Sequence, residues 1–138
     1  MSLWFLKDIC NISIIHDIDR IARINPDLAC CDYFYALKYA DFVLRDRFPE
    51  GEPIIATNAK SSYGYAYSVL KGRFSLGEPI IATDDYCSYS YAVFVLHGPF
   101  PLGEPVIAKD THFADAYTYY VLKHDFYLDG ELICEYEV

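Results

Sequence analysis

The sequence predicts an all-α fold, a right-handed α-solenoid of short-helix/long-helix repeats with degenerate capping units. Three observations predict it. The segments "VLRDRFPEGEPIIATNA", "VLKGRFSLGEPIIATDD" and "VLHGPFPLGEPVIAKDT" start at Val43, Val69 and Val95, so the chain repeats every 26 residues. Between these segments the apolar residues follow helical spacing. Each "GEP" then places a proline where a helix begins and its first amides need no internal partner.

The period holds at many positions. Gly51, Gly77 and Gly103 share it, as do Val43, Val69, Val95 and Val121, and Phe48, Phe74, Phe100 and Phe126. A fourth Gly-Glu, at Gly130-Glu131, comes one residue late, after an extra Asp129. Periodicity of this kind marks a stack of similar units, in which each unit is too small to bury its apolar side alone.

Within a unit the longer segment reads as a helix. Ala36, Tyr39, Ala40, Val43 and Leu44 lie at i, i+3, i+4, i+7 and i+8, which is one helical stripe. The later copies are Ser62, Tyr65, Ala66, Val69, Leu70, then Ser88, Tyr91, Ala92, Val95, Leu96, then Ala114, Tyr117, Thr118, Val121, Leu122. A small residue beside a Tyr recurs, so helices can approach closely while the ring fills the space. The buried hydroxyl then needs water or a partner.

Gly72 and Gly98 are expected to supply the left-handed residue that ends the long helices. Arg45, Arg47, Lys71 and Arg73 suit the negative end of the helix dipole. Next, "GEPIIA" predicts a short helix of about two turns, with Ile54-Ile55, Ile80-Ile81 and Val106-Ile107 inside and Glu52, Glu78, Glu104 and Glu131 near its positive start. Asn58, Asp84 and Asp110 are the expected caps of the long helices that follow.

The domain layout is a single solenoid over 1–138. Residues 1–25 form a cap helix with Ile14, Ile18, Ile21 and Ala22 as its stripe. Four repeats fill 26–128, the first short helix starting at Asn25-Pro26. Residues 129–138 make a C-terminal cap and acidic tail, in which "YLDGELICEYEV" reads as a lone short helix.

Composition narrows the function. With 54% hydrophobic and 17% aromatic residues, the chain of 138 residues can bury a core and is not of the disordered class. No apolar run approaches the ~20 residues that span a bilayer, and the start, with Lys7 and Asp8 in its apolar part, reads as a folded helix. Cys10, Cys30, Cys31, Cys87 and Cys134 form no CxxC pair and no zinc spacing, which fits free thiols in a cytoplasmic protein. A net charge of −9 should repel phosphates, so no direct nucleic-acid contact is expected, and basic surfaces should attract the chain.

Chemistry is sparse. His112 and Asp115 could orient a base, yet no Ser or Cys stands in a nucleophile motif, and a turn histidine beside a capping acid explains the pair. His97 and His124 sit where a helix end welcomes a cation. Asp84-Asp85 and Asp110 lack the ligand spacing of a calcium loop. Lys71-Gly72-Arg73 is too short for a phosphate loop. The glutamates recur in every unit, which speaks for structure. No cofactor, no metal and no enzymatic activity are expected. What remains is surface: Tyr63, Tyr67, Tyr86, Tyr89, Tyr119 and Tyr120, with Asp110, Asp115 and Asp125, are the expected protein-binding residues.

The unit "YAYSVLKGRFSLGEPIIATDDYCSYSYA" resembles a tandem repeat, roughly YAxxVLKGRFPEGEPxIAxDxxYAYxYA, found in proteins of tailed bacteriophages, giant viruses and some bacteria. The likeness covers about residues 26 to 131 and departs at Pro99, His124 and Asp125, where the KGR element decays. It implies a viral or phage accessory protein that binds and inhibits a host protein in the host cytoplasm. An anti-CRISPR or anti-restriction inhibitor is the narrowest form of that expectation. Residues 103–138 hold eight acids against Lys109 and Lys123, so a nucleic-acid-binding host protein is a fitting target. The alternative is a structural scaffold or self-assembling homo-oligomer.

Overall fold

The computed structural model describes Cys30 and residues 32–138. The cap helix of 1–25 and the Asn25-Pro26 helix start therefore lie outside the described residues, as do Cys10, Cys31 and His16.

The described chain is mostly helical, with one small two-stranded sheet. Four long helices alternate with three short ones. Helix α1 is Tyr33–Lys38 and runs on as wider, π-type turns through Tyr39–Leu44. The short α2 is Glu52–Ile55. Helix α3, Ala59–Gly64, again widens over Tyr65–Leu70. Then come α4 (Glu78–Ile81), α5 (Asp85–Tyr91, widening over Ala92–Leu96), α6 (Glu104–Ile107) and α7 (Thr111–Tyr117, widening over Thr118–Leu122). Each long helix packs on the next long helix, and on the short helix that follows its loop.

The local chemistry explains these boundaries. Asp32, Asn58, Asp84 and Asp110 all cap long helices, each side-chain oxygen accepting a backbone N–H of the first turn. Each of the three short helices carries its proline in the first turn. The short helices have one α-turn rather than two; in the second and third copies a 3-10 turn, Ser75–Gly77 and Pro101–Gly103, precedes it.

Two further expectations are corrected. The left-handed residues at the long-helix ends are Arg45, Lys71, His97 and Lys123, not Gly72 and Gly98. The widened last turns place the reversal one residue earlier, and Gly72 follows it, its amide reaching back to the Ala66 carbonyl at 3.1 Å. The C-terminal segment is a hairpin, not a helix. Strand β1 (Phe126–Leu128) pairs antiparallel with β2 (Glu131–Cys134), with Leu128 opposite Glu131. Asp129 and Gly130 both have positive φ, the requirement of a two-residue reversal, and no proline follows Glu131 to start a helix.

The core follows the period. Ala36, Ala40, Tyr65, Ala66, Tyr91, Ala92, Ala114 and Tyr117 are buried on the long helices, and Ile55, Ile81 and Ile107 on the short ones. The valines and leucines that close the later stripes pack against this core but are only partly buried, and Leu44 is exposed, since π-type spacing turns them toward the edge of the 3.6-residue stripe. Phe48, Phe74, Phe100 and Phe126 anchor the four loops, the last even though its loop has become a strand.

Candidate functional site

Each buried tyrosine joins two loops. The Tyr65 hydroxyl accepts the Phe48 amide at 2.8 Å and donates to Glu52 Oε1 at 3.0 Å. Its ring meets Phe74 of the following loop edge-on at 5.0 Å. Tyr91 repeats this with Phe74, Glu78 and Phe100, and Tyr117 with Phe100, Glu104 and Phe126. Burial pushes the Tyr65 hydroxyl up to about 12 against the opposing hydrogen bond from Phe48, and raises Tyr91 and Tyr117 as well.

Arginine completes the first two glutamate sites. Arg47 grips Glu52 through Nε at 2.7 Å and Nη2 at 3.1 Å. Arg73 grips Glu78 at 2.6 and 3.1 Å. The Arg47 guanidinium holds the Glu52 carboxyl below its usual range, assisted by Tyr65 and opposed by burial. The recurring glutamate is thus a structural element, held by side chains that the helix-start explanation did not include.

On the outer face the rings connect to one another. Phe94 lies 6.3 Å from Tyr67, Tyr67 5.9 Å from Tyr63, and Tyr63 6.5 Å from Tyr86. Tyr86 is 6.2 Å and Tyr89 5.6 Å from Phe113. Six rings from α3, α5 and α7 therefore form one unbroken band. A groove of about 440 Å³ opens beside it, between Tyr67, Ser68, Lys71 and Phe94. At the near end Lys38 Nζ stands over Phe34 and Phe42, at 5.6 and 5.0 Å.

The structure sorts the sequence-derived site residues. Tyr63, Tyr67, Tyr86 and Tyr89 belong to this band. Tyr119 and Tyr120 make no ring contact with the band; they lie 5.0 Å from each other, with Tyr136 beside Tyr119, and Tyr120 is close enough to Tyr89 to help burial raise the Tyr89 hydroxyl. The three acids serve the fold: Asp110 caps α7, Asp115 accepts the Cys134 thiol at 3.0 Å, and Asp125 accepts the Tyr136 amide at 2.9 Å. That hydrogen bond to Asp115 holds the Cys134 thiol above its usual range. Phe94 and Phe113 were missed, although Phe94 shares its place in the repeat with Phe42 and Tyr120, which a comparison of outer positions would have shown.

Among the described residues no three His, Cys, Asp or Glu side chains gather as a metal site, and no helix is long and apolar enough to cross a membrane. Cys87 and Cys134 are free thiols, and burial pushes Cys87 up to about 12, so it is an inert core residue. No protein-family model, curated protein or solved structure matches the chain.

Proposed function

We propose that this chain is a protein-binding helical-repeat module, its units stacked as a right-handed α-solenoid, which binds a host protein through its outer aromatic band. The observation that carries this is the band itself. Tyr67, Tyr86 and Phe94 are 54%, 53% and 51% exposed although they lie against other rings, so core packing does not account for them. Contiguous exposed aromatic surface of this kind marks protein–protein contact, where Tyr supplies apolar area with a polar tip. The capping acids and the net charge of −9 favour a basic partner. Resemblance to the phage and viral repeat supports an accessory protein acting in the host cytoplasm, with an anti-CRISPR or anti-restriction inhibitor as its narrowest form.

The test is capture from host lysate with the wild-type chain and with a Tyr67→Ser, Tyr86→Ser, Phe94→Ser variant whose circular dichroism is unchanged. A partner retained by wild type and lost by the variant supports the proposal. Equal capture by both removes the band as the binding face. Repeating the capture at ~0.5 M salt separates charge mimicry from apolar docking, because screening weakens only the former.

Self-assembly is the second reading, since each strand of the two-stranded sheet has one edge without a strand partner among the described residues. Light scattering over a concentration series decides it, since a strict monomer excludes a scaffold built from copies of this chain.

A further inference from the structure

The third glutamate differs from the first two. Glu52 and Glu78 each hold the guanidinium of an arginine five residues earlier in a two-point fork. At the third copy that arginine is replaced by Pro99. Glu104 keeps its tyrosine, with the Tyr117 hydroxyl donating to Oε1 at 2.8 Å. Its Oε2, the counterpart of the oxygen that takes Nη2 in the first two copies, accepts no hydrogen bond from a described residue. Beside it a cleft of about 510 Å³ opens between Pro99, Glu104, Leu122, His124, Asp125 and Phe126. Asp125 stands at the fourth copy of the arginine position, so a carboxylate has been added where two earlier copies carry a cation.

We propose that this cleft binds a guanidinium supplied from outside, the arginine side chain of a partner protein. The same glutamate in the same loop ligates a guanidinium twice within this chain, so the geometry that fits the group is already built. The Tyr117 hydrogen bond fixes Glu104 Oε1 as Tyr65 and Tyr91 fix theirs, which leaves the carboxylate aligned for a fork. Planar two-point recognition selects arginine over lysine, whose ammonium is a point charge. The net charge of −9 draws such a cation toward the chain. The site lies outside the aromatic band and does not depend on it.

The experiment titrates the isotope-labelled full chain with N-acetyl-arginine methylamide and follows the amides around Glu104, Tyr117 and Asp125 by NMR. Saturable shifts are expected there, with binding weakened about tenfold or more by Glu104→Gln, whose amide still accepts from Tyr117. The matching lysine derivative should bind more weakly. Pro99→Arg supplies the guanidinium within the chain, so it should fold, raise the melting temperature and abolish the shifts. Absence of saturable shifts, or a Pro99→Arg chain that binds as well as wild type, overturns the proposal. Tighter binding of free L-arginine than of the blocked derivative overturns the protein-borne source and assigns the cleft to the amino acid. Because no partner protein enters the titration, a failed lysate capture leaves this result standing on its own.

Discussion

The hydroxyl of Tyr91 donates to Glu78 Oε1 at 2.9 Å while accepting the Phe74 amide at the same distance. Its ring is fully buried and lies 5.1 Å from Phe100, in the next loop along the chain. One side chain therefore holds the loop before its helix by hydrogen bonds and the loop after it by ring packing. Thirteen and seventeen residues separate the hydrogen-bonded partners, so the contact ties successive copies rather than closing a local turn.

Tyr91→Phe keeps the ring and removes only the hydroxyl. The Phe74 amide then loses its acceptor and Glu78 one of its donors, both in a closed environment. Leaving such groups unsatisfied costs about 1–3 kcal/mol, which urea unfolding would read as a lower midpoint at unchanged slope. Tyr67→Phe, at an exposed position, should stay within about 0.5 kcal/mol of wild type. Equal effects of the two substitutions would show that the hydroxyl bridge contributes nothing.

High pH attacks the same bridges. The hydroxyls of Tyr65, Tyr91 and Tyr117 are raised above the ordinary 10, Tyr65 to about 12, chiefly by burial. A folded-state value above the unfolded one means stability that is complete below pH 10 and is lost as pH rises through the folded value. Helicity and the buried phenolate absorbance should therefore change together between about pH 10 and 12. Full tyrosine ionisation near pH 10 in a chain that stays helical would refute the assignment.

Acid acts through Glu52 in the opposite sense. Arg47 depresses its carboxyl, so this contribution is present above the usual carboxylate range and disappears as pH falls through the lowered value. Arg47→Gln should move the acid-unfolding midpoint to higher pH. The Arg47 side chain is 61% exposed, so solvent screening keeps the loss at neutral pH small and the effect is read in the acid transition. An acid midpoint that does not move would exclude the pair from the acid transition.

Two glycines one loop apart test packing against backbone. A Cβ at Gly77 would run into the Phe74 ring and approach the Ser62 Cβ to 2.8 Å, whereas at Gly98 the nearest atom is the Leu96 carbonyl oxygen at 3.9 Å. Overpacking of this kind costs about 1–3 kcal/mol. Thermal melts should show Gly77→Ala strongly destabilised and Gly98→Ala close to neutral, or slightly raised by the lost freedom of the unfolded chain. The reverse order would place the close approach elsewhere.

The repeat made the helices, their caps and their buried faces readable, because Asn58, Asp84 and Asp110 act within three residues and the stripe within eight. The tyrosine–glutamate bridges were not readable, because their partners sit in different elements and no local preference reports on them. The period did bring Tyr, Arg and Glu to fixed intervals, and only the geometry reveals that those intervals are contacts. On the surface the signal was weaker still: aromatic residues declared themselves, but their union into one band depends on how neighbouring helices lie.

At the C-terminus the repeat misled, and the turn chemistry was right. Asp129-Gly130 between apolar residues carries a hairpin signal, and it decides the local structure over the Gly130-Glu131 pair that resembles a late copy of the helix start. Gly130 has φ near 86° with nothing within 4 Å of a Cβ placed on it, so a side chain there meets only backbone strain. Gly130→Ala should then cost about 1 kcal/mol, confined to the hairpin. In NMR spectra the cross-strand contacts of Tyr127 with Leu132 should weaken, while Phe126, buried against Tyr117, keeps its contact with the helices. Loss of the Phe126–Tyr117 contact in this variant would mean that the turn, and not the phenylalanine anchor, holds the end of the chain in place.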